Sequence, residues 1–317
     1  MIQEERIKNL NHEELHSGEY ILYWMQSSVR AECNHTLEFA IRKSNDLNQP
    51  LIAFFGITSN YPEANLRHCT FLFEGLKDAS ERLEERGVPL IARKISPQEG
   101  TIALSREASM VIVDRGYTKF LRRWRRSVAD AISCPLVQVE SDVVVPIEEA
   151  SDKEEYAART IRPKIKDVLD RYLVPLKKTE LENTYNGEEQ KSLDLSNPRE
   201  LAENLGIDSS VKPVEEFIGG LTQAREHLKS FIETRLDDYD ELSNDPSKEY
   251  QSNLSPYIHF GHINPLEIAL KVDETESPGK ESFLEELIIR RELAINYVYY
   301  NPDYDSLQGL PDWAKKT

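Results

Sequence analysis

From residue 20 to about 145 the chain alternates short, almost wholly apolar runs with longer amphipathic stretches. The runs are Tyr20–Gln26, Leu51–Ile57, Val88–Ile95, Met110–Asp114 and Pro135–Val139. They are apolar at nearly every position, as strands covered on both faces are. Between two of them, residues 65–86 place Leu66, Cys69, Phe73, Leu76 and Leu83 at helical spacing, and Gly87 follows as a stop. Strand–helix alternation of this kind predicts an α/β unit with a doubly wound, Rossmann-like parallel sheet. No Gly-x-Gly-x-x-Gly follows the first run and no Walker loop is present, so an ordinary dinucleotide-binding domain is disfavoured.

The pattern then changes. Residues 143–147 lead into an acidic stretch and a helical pattern around 155–173, and residues 177–198 are polar and rich in Asn, Glu and Lys. That polar stretch has the composition of a mobile interdomain connection. After about residue 220 helical periodicity continues without strands. Asn264, Pro265 and Glu267 supply an N-cap, a first-turn proline and a capping-box acid. Ser282 and Glu285 form a second capping box, opening a helix that buries Phe283, Leu284, Leu287, Ile288, Ala294, Ile295 and Val298. The expected organisation is an α/β domain at 1–147, a connection at 148–220 and an all-helical domain at 221–317.

Charge complicates a reading based on nucleic acid. The net charge is −17, whereas DNA-binding proteins present a basic face that displaces counterions from phosphate. The strongest local exception is the cluster Arg122, Arg123, Trp124, Arg125 and Arg126, which also reads as the solvated face of an amphipathic helix. Cys33, Cys69 and Cys134 are odd in number and widely spaced, which fits neither a disulfide framework nor a zinc motif. His259 and His262 without cysteine or carboxylate at ligand spacing make a poor metal site and read as structural. The polar, acidic start and the absence of long apolar runs point to a cytoplasmic protein.

Several long motifs occur in order. They are residues 20–30 with Asn34, His35 and 37–40; Asp114–Tyr117; Glu140–Pro146; Tyr239 with Ser243–Pro246; Gln251–Gly261; and residues 283–305 with 311–316. In content and spacing these resemble class II cyclobutane-pyrimidine-dimer photolyases of the photolyase/cryptochrome family. The resemblance covers nearly the whole chain. It implies light-driven repair of pyrimidine dimers in DNA by electron transfer from reduced FAD. It also implies an antenna chromophore, a deazaflavin or a folate, between the two domains.

The resemblance assigns roles to particular residues. Ser255 and Pro256 look like the start of a helix, whose free N–H groups suit a diphosphate; in the family this segment holds the flavin phosphates. The implied cofactor residues are therefore Ser252, Asn253, Leu254 and Ser255, with Tyr239 upstream and Gln251 less firmly placed. Glu286 and Arg290, four apart, read either as a surface ion pair or, by resemblance, as the mouth of the flavin cavity. There Glu286 is the catalytic group facing the lesion. Arg290 would contact DNA, and Arg291 is an alternative partner for phosphate or for an acidic side chain.

The chain also departs from the family's pattern. Ser243 stands where an arginine commonly precedes Asn-Asp-Pro. Family members continue past the residues matching 311–316 with helices that enclose the flavin, so the helical FAD-binding domain is expected to be incomplete here, to retain little or no FAD and to carry out no repair by itself. Two other readings stand beside repair. One is a non-repairing relative or fragment that binds DNA, chromophore or a partner protein. The other is a nucleotide-binding α/β protein without light chemistry.

Overall fold

A computed structural model describes every residue except Met1, Asn60, Pro62, Glu188, Glu189 and Thr317. The sheet has six strands: β1 (Ile7–Asn9), β2 (Tyr20–Trp24), β3 (Leu51–Ile57), β4 (Leu90–Lys94), β5 (Ala108–Asp114) and β6 (Leu136–Val139). Their order is β1-β6-β5-β2-β3-β4. β1 pairs antiparallel with β6, and every other neighbour is parallel. The five parallel strands thus have the doubly wound order, with its reversal point between β2 and β5.

Period-2 alternation splits the sheet's side chains between two cores. Ile21, Tyr23, Leu51, Ala53 and Phe55 pack toward α1 (His35–Asp46) and α2 (Leu66–Glu85). Tyr20, Leu22, Trp24, Ile52 and Phe54 pack toward α3 (Pro97–Ser105) and α4 (Lys119–Ala129). Local chemistry fixes the helix ends. The Asn34 and Asn65 side chains accept from Leu37 N and His68 N, satisfying first-turn donors. Gly87 takes φ +75° just beyond α2, where a side chain would be strained.

Residues from Val143 onward leave the sheet. α5 (Ile147–Ala150) and α6 (Ala158–Tyr172) bury Ala150, Ile161, Ile165 and Tyr172 in a separate core. The polar connection is not loose across its described residues. Leu193 N donates to Ala92 O (2.7 Å), and Ala92 N donates to Ser192 Oγ (2.9 Å), so the segment covers the outer edge of β4. α7 (Pro198–Glu203) then lies against α2.

The helical half continues with α8 (Leu221–Thr234), α9 (Tyr239–Leu242), α10 (Ser255–His259), α11 (Pro265–Asp273), α12 (Lys280–Leu284) and α13 (Arg291–Tyr300). Between α12 and α13 the chain makes a π-helical turn, Glu285–Arg290. This corrects the expected capping box. Gly279 precedes the helix, which begins at Lys280, so Ser282 lies inside it, and Glu285 reaches Arg162 instead of turning back to Ser282. Glu267 likewise binds Arg225, although Asn264 caps α11 as expected.

Buried polar groups and one glycine lock the two halves together. Arg30 donates to Gly261 O (2.8 Å) and Ser141 O (2.5 Å). Arg6 donates to Val143 O (3.2 Å) and Val144 O (2.6 Å). Gly261 has φ +71°, and a Cβ there would fall 1.7 Å from Ser27 O. Backbone touches backbone at that point, and only glycine fits.

Candidate functional site

A cavity of about 770 Å³ opens at the reversal point of the sheet. Its floor is the residues that follow the strands: Met25–Ser27 after β2, Phe55–Thr58 at the end of β3, and Gly116–Thr118 after β5. Its roof is the helical half, through Ser255, Ile258, His259, Arg291, Ile295 and Val298. Doubly wound sheets bind ligands at this place, because the connections diverge to opposite faces and leave a crevice. The volume lies within the ~300–1,000 Å³ usual for small-molecule sites.

Asp114 holds the floor in shape. Its buried carboxylate accepts from the backbone of Gln26 (2.9 Å), Ser27 (2.8 Å) and Ser28 (3.2 Å). Burial raises its pKa, and those three N–H bonds oppose the rise. Four polar atoms on the cavity's lining residues are nevertheless buried without a partner: Gln26 Nε2, Ser27 Oγ, Thr118 Oγ1 and Asp142 Oδ1. These atoms are closed off from solvent and do not face the open cavity, whose accessible lining is mainly apolar and fits an organic ligand.

Arg291 and Asp142 form one wall. Arg291 Nη1 donates to the Asp142 carbonyl at 2.7 Å, and Nη2 lies 3.5 Å from Asp142 Oδ2. Burial pushes the Asp142 carboxyl up to about 6, against the opposing charges of Arg291 and Arg30. Arg291 is therefore committed to an acidic side chain inside the seam, the second of its two expected roles, and is not displayed beside Arg290.

Tyr239 and Glu286 lie near each other in the helical half, whereas Ser255 lines the roof of the interdomain cavity. Tyr239 is buried, with its ring edge-on to Phe231 and Phe283. Burial raises its pKa, and so does the nearby negative charge of Glu286. Glu286 is 54% exposed and meets Arg290 Nε only loosely, at 3.9 Å. Glu285, by contrast, is held by Arg162 at 2.6 Å, with Arg290 Nε at 3.6 Å. The π turn separates these two neighbouring carboxylates into one bound and one open.

In the 252–255 segment, Leu254 is buried while Asn253 and Ser255 are exposed. Leu254 N donates to Ser252 Oγ (3.4 Å), and Asn253 stands at φ +60°, a conformation Asn tolerates. Leu254, not Ser255, occupies the cap position, and α10 is only five residues long. The Asn253 and Ser255 side chains make no hydrogen bond among the described residues, so both remain available to phosphate oxygens. Gln251 is engaged elsewhere, donating to Ser243 O (2.5 Å).

Other candidates resolve into structure. His262 is buried and stacked on Phe71, and it accepts from Gly220 N at 3.1 Å through Nδ1. Burial drives it down to about 3, so the ring is neutral. All three cysteines are free. Among the described residues no group of His, Cys, Asp or Glu could hold a metal ion, and no helix is long and apolar enough to cross a membrane. The arginine cluster of α4 is broken up. Arg125 is buried, donating to Gly116 O (2.5 Å) and Gln26 Oε1 (3.2 Å), and Arg122 lies over the Tyr299 ring.

A sheet with a ligand-sized cavity at its reversal point, roofed by helices that also display an open carboxylate, defines a two-part protein built around an organic cofactor. The sequence profile described as DNA photolyase matches residues 21–182. The chain is 44% identical over 321 residues to the deoxyribodipyrimidine photo-lyase of Methanothermobacter thermautotrophicus, covering all of this chain and 70% of that protein. It is 32% identical to the deoxyribodipyrimidine photo-lyase of Potorous tridactylus, covering 93% of this chain and 56% of that protein. Among solved structures it resembles the archaeal photolyase of Sulfolobus tokodaii, solved with two FAD molecules. That match has a TM-score of 0.64 and 17% identity, over 89% of this chain and 60% of that one. The chain belongs to the DNA photolyase family.

Proposed function

We propose that the protein is a class II photolyase that repairs cyclobutane pyrimidine dimers in DNA with light and FAD. The class assignment is supported by the ordered motifs at residues 20–40, 114–117, 140–146, 239–261 and 283–316. The observation that carries the chemical reading is the open Glu286 beside the buried Tyr239, on the same side of the helical half.

When bound, reduced FAD excited by blue light would lend the electron that opens the cyclobutane ring and take it back once the two pyrimidines have separated. The protein's own residues do the rest. Asn253 and Ser255 offer uncommitted polar groups to the flavin phosphates, with Ser252 shaping the turn and Leu254 anchoring it in the core. Tyr239 would help hold the flavin, its ring fixed by Phe231 and Phe283. A damaged pair stacks poorly, so it leaves the duplex at lower cost than a normal pair. Glu286 then meets the flipped lesion. To bond a base carbonyl its carboxyl must carry a proton, and that bond strengthens as the carbonyl gains negative charge. Arg290 stands ready for phosphate. The interdomain cavity takes the antenna chromophore, a deazaflavin or a folate, against its largely apolar lining. Three free cysteines suit a reducing, cytoplasmic setting.

The test is repair of an oligonucleotide bearing one thymine dimer, by full-length protein reconstituted with FAD under blue light. Repair by the wild type and its loss in Glu286→Ala support the reading. Absence of both flavin absorbance and repair sinks it.

A further inference from the structure

We propose that the outward stripe of α6, namely Arg159, Arg162 and Lys166, together with Arg290, is the surface on which the protein holds the DNA phosphate backbone. This rests on the reading of Glu286 as the lesion-facing group and of Arg290 as a DNA contact, and extends it to Arg159, Arg162 and Lys166, which neither the motifs nor the charge pattern singled out.

The stripe follows from helical geometry. α6 buries Ala158, Ile161, Ile165 and Tyr172 against the helical core. Positions 159, 162 and 166 are spaced by three and four residues, so they share one face that flanks the buried one, with Arg159 and Lys166 exposed and Arg162 half-buried. From Arg159 to Lys166 the rise is about 10 Å, the axial span of about three phosphates along one DNA strand.

The stripe abuts the π turn. Arg162 grips Glu285 through Nε (3.0 Å) and Nη2 (2.6 Å). The Glu285 carboxyl lies below its usual range because of that hydrogen bond, and the charges of Arg162, Arg290 and Lys166 add to the effect. Three cations thus converge one residue from Glu286. Arg159 donates only to the Tyr156 hydroxyl (3.1 Å), and neither it nor Lys166 has a carboxylate partner among the described residues. Arg162 and Arg290 lie against Glu285, and Arg290 also near Glu286, while Arg159 and Lys166 stand without an ion pair among the described residues, on a chain of net charge −17. Exposed Asp167 and Asp170 follow Lys166 and end the basic track.

An acidic surface that turns locally positive beside its lesion-facing carboxylate steers a polyanion to that place and repels it elsewhere. In the alternative cluster on α4, Arg125 binds Gly116 O and Gln26 Oε1 and Arg122 lies over Tyr299, while Arg123 and Arg126 are exposed and serve as the comparison.

The test measures the salt dependence of affinity for duplexes with and without a single thymine dimer. The proteins compared are wild type, Arg159→Gln/Lys166→Gln, Arg123→Gln/Arg126→Gln and Glu286→Gln. Each lost phosphate contact lowers the slope of log K against log salt by about 0.9. The α6 double variant is expected to lose about 1.8 of slope and on the order of tenfold in affinity, equally for damaged and undamaged DNA. The α4 double variant is expected to match wild type, and Glu286→Gln to alter lesion preference without changing the slope. If wild type binds DNA and the α6 variant has the same slope and affinity, this inference falls while the photolyase reading stands. If wild type binds no dimer-containing DNA, both fall.

Discussion

Glu286 and Glu292 lie six residues apart on one continuous helical run, yet they inhabit opposite environments. Glu286 is 54% exposed with one loose cationic neighbour. Glu292 is fully buried in the seam, where its Oε1 accepts from Val144 N (2.7 Å) and Val145 N (3.1 Å), and its Oε2 has no partner. Arg290 and Arg291 repeat the contrast, one open and one bound to Asp142. The seam side uses charged residues as rigid joints between the halves. The outer side keeps the same residue types uncommitted, as a surface that must meet a substrate does.

That contrast can be broken on the buried side first. Glu292→Ala would strand two buried N–H groups and should cost about 3 kcal/mol, read as a lower urea midpoint. The next effect is pH-dependent. Burial raises Glu292 from 4.5 to about 8, with the N–H bonds of Val145 and Val144 opposing the rise. The folded protein therefore keeps a proton that the unfolded chain has lost. The stability this gives is full below about pH 4.5 and disappears as pH rises through about 8. Thermal melts between pH 5 and 8.5 should show that decline, and Glu292→Gln should flatten it. A decline of the same size in Glu292→Gln would assign it to other groups.

On the open side, Glu286→Ala should reduce repair by roughly tenfold to a hundredfold, since one transition-state hydrogen bond is at stake. It should move the unfolding midpoint by no more than an exposed substitution does, about 0.5 kcal/mol. A large loss of stability would show that Glu286 is a joint like Glu292. The smallest effect expected is for Arg290→Ala on stability, within about 0.5 kcal/mol, because its ion pairs are exposed.

The strands and α2 were legible because apolar runs and helical spacing are local signals. β1 was not, since three residues with mixed burial carry no period. The π turn was hidden for a different reason. Ser282 and Glu285 have the spacing of a capping box, but Arg162, more than a hundred residues earlier, offers Glu285 a stronger partner. Tyr239 and Glu286 came from resemblance alone. The cavity's Gln26, Ser27, Thr118 and Asp142 went unnoticed because only strand order brings them together. A usable signal existed, since residues just after the strands flanking a reversal point are favoured ligand contacts. Arg159 and Lys166 were masked by a more conspicuous arginine cluster, two of whose members, Arg122 and Arg125, make structural contacts.

The contact between Gly261 and the Ser27 carbonyl has a consequence for what the cavity accepts. Its floor and roof meet main chain against main chain, so their spacing cannot be relaxed by rotamer changes. A bulkier guest would have to part the two halves bodily, straining the Arg30 bonds that straddle the same point. Size discrimination in this cleft is thus set by the skeleton of the molecule, and substitutions among the lining side chains should retune polarity far more readily than girth.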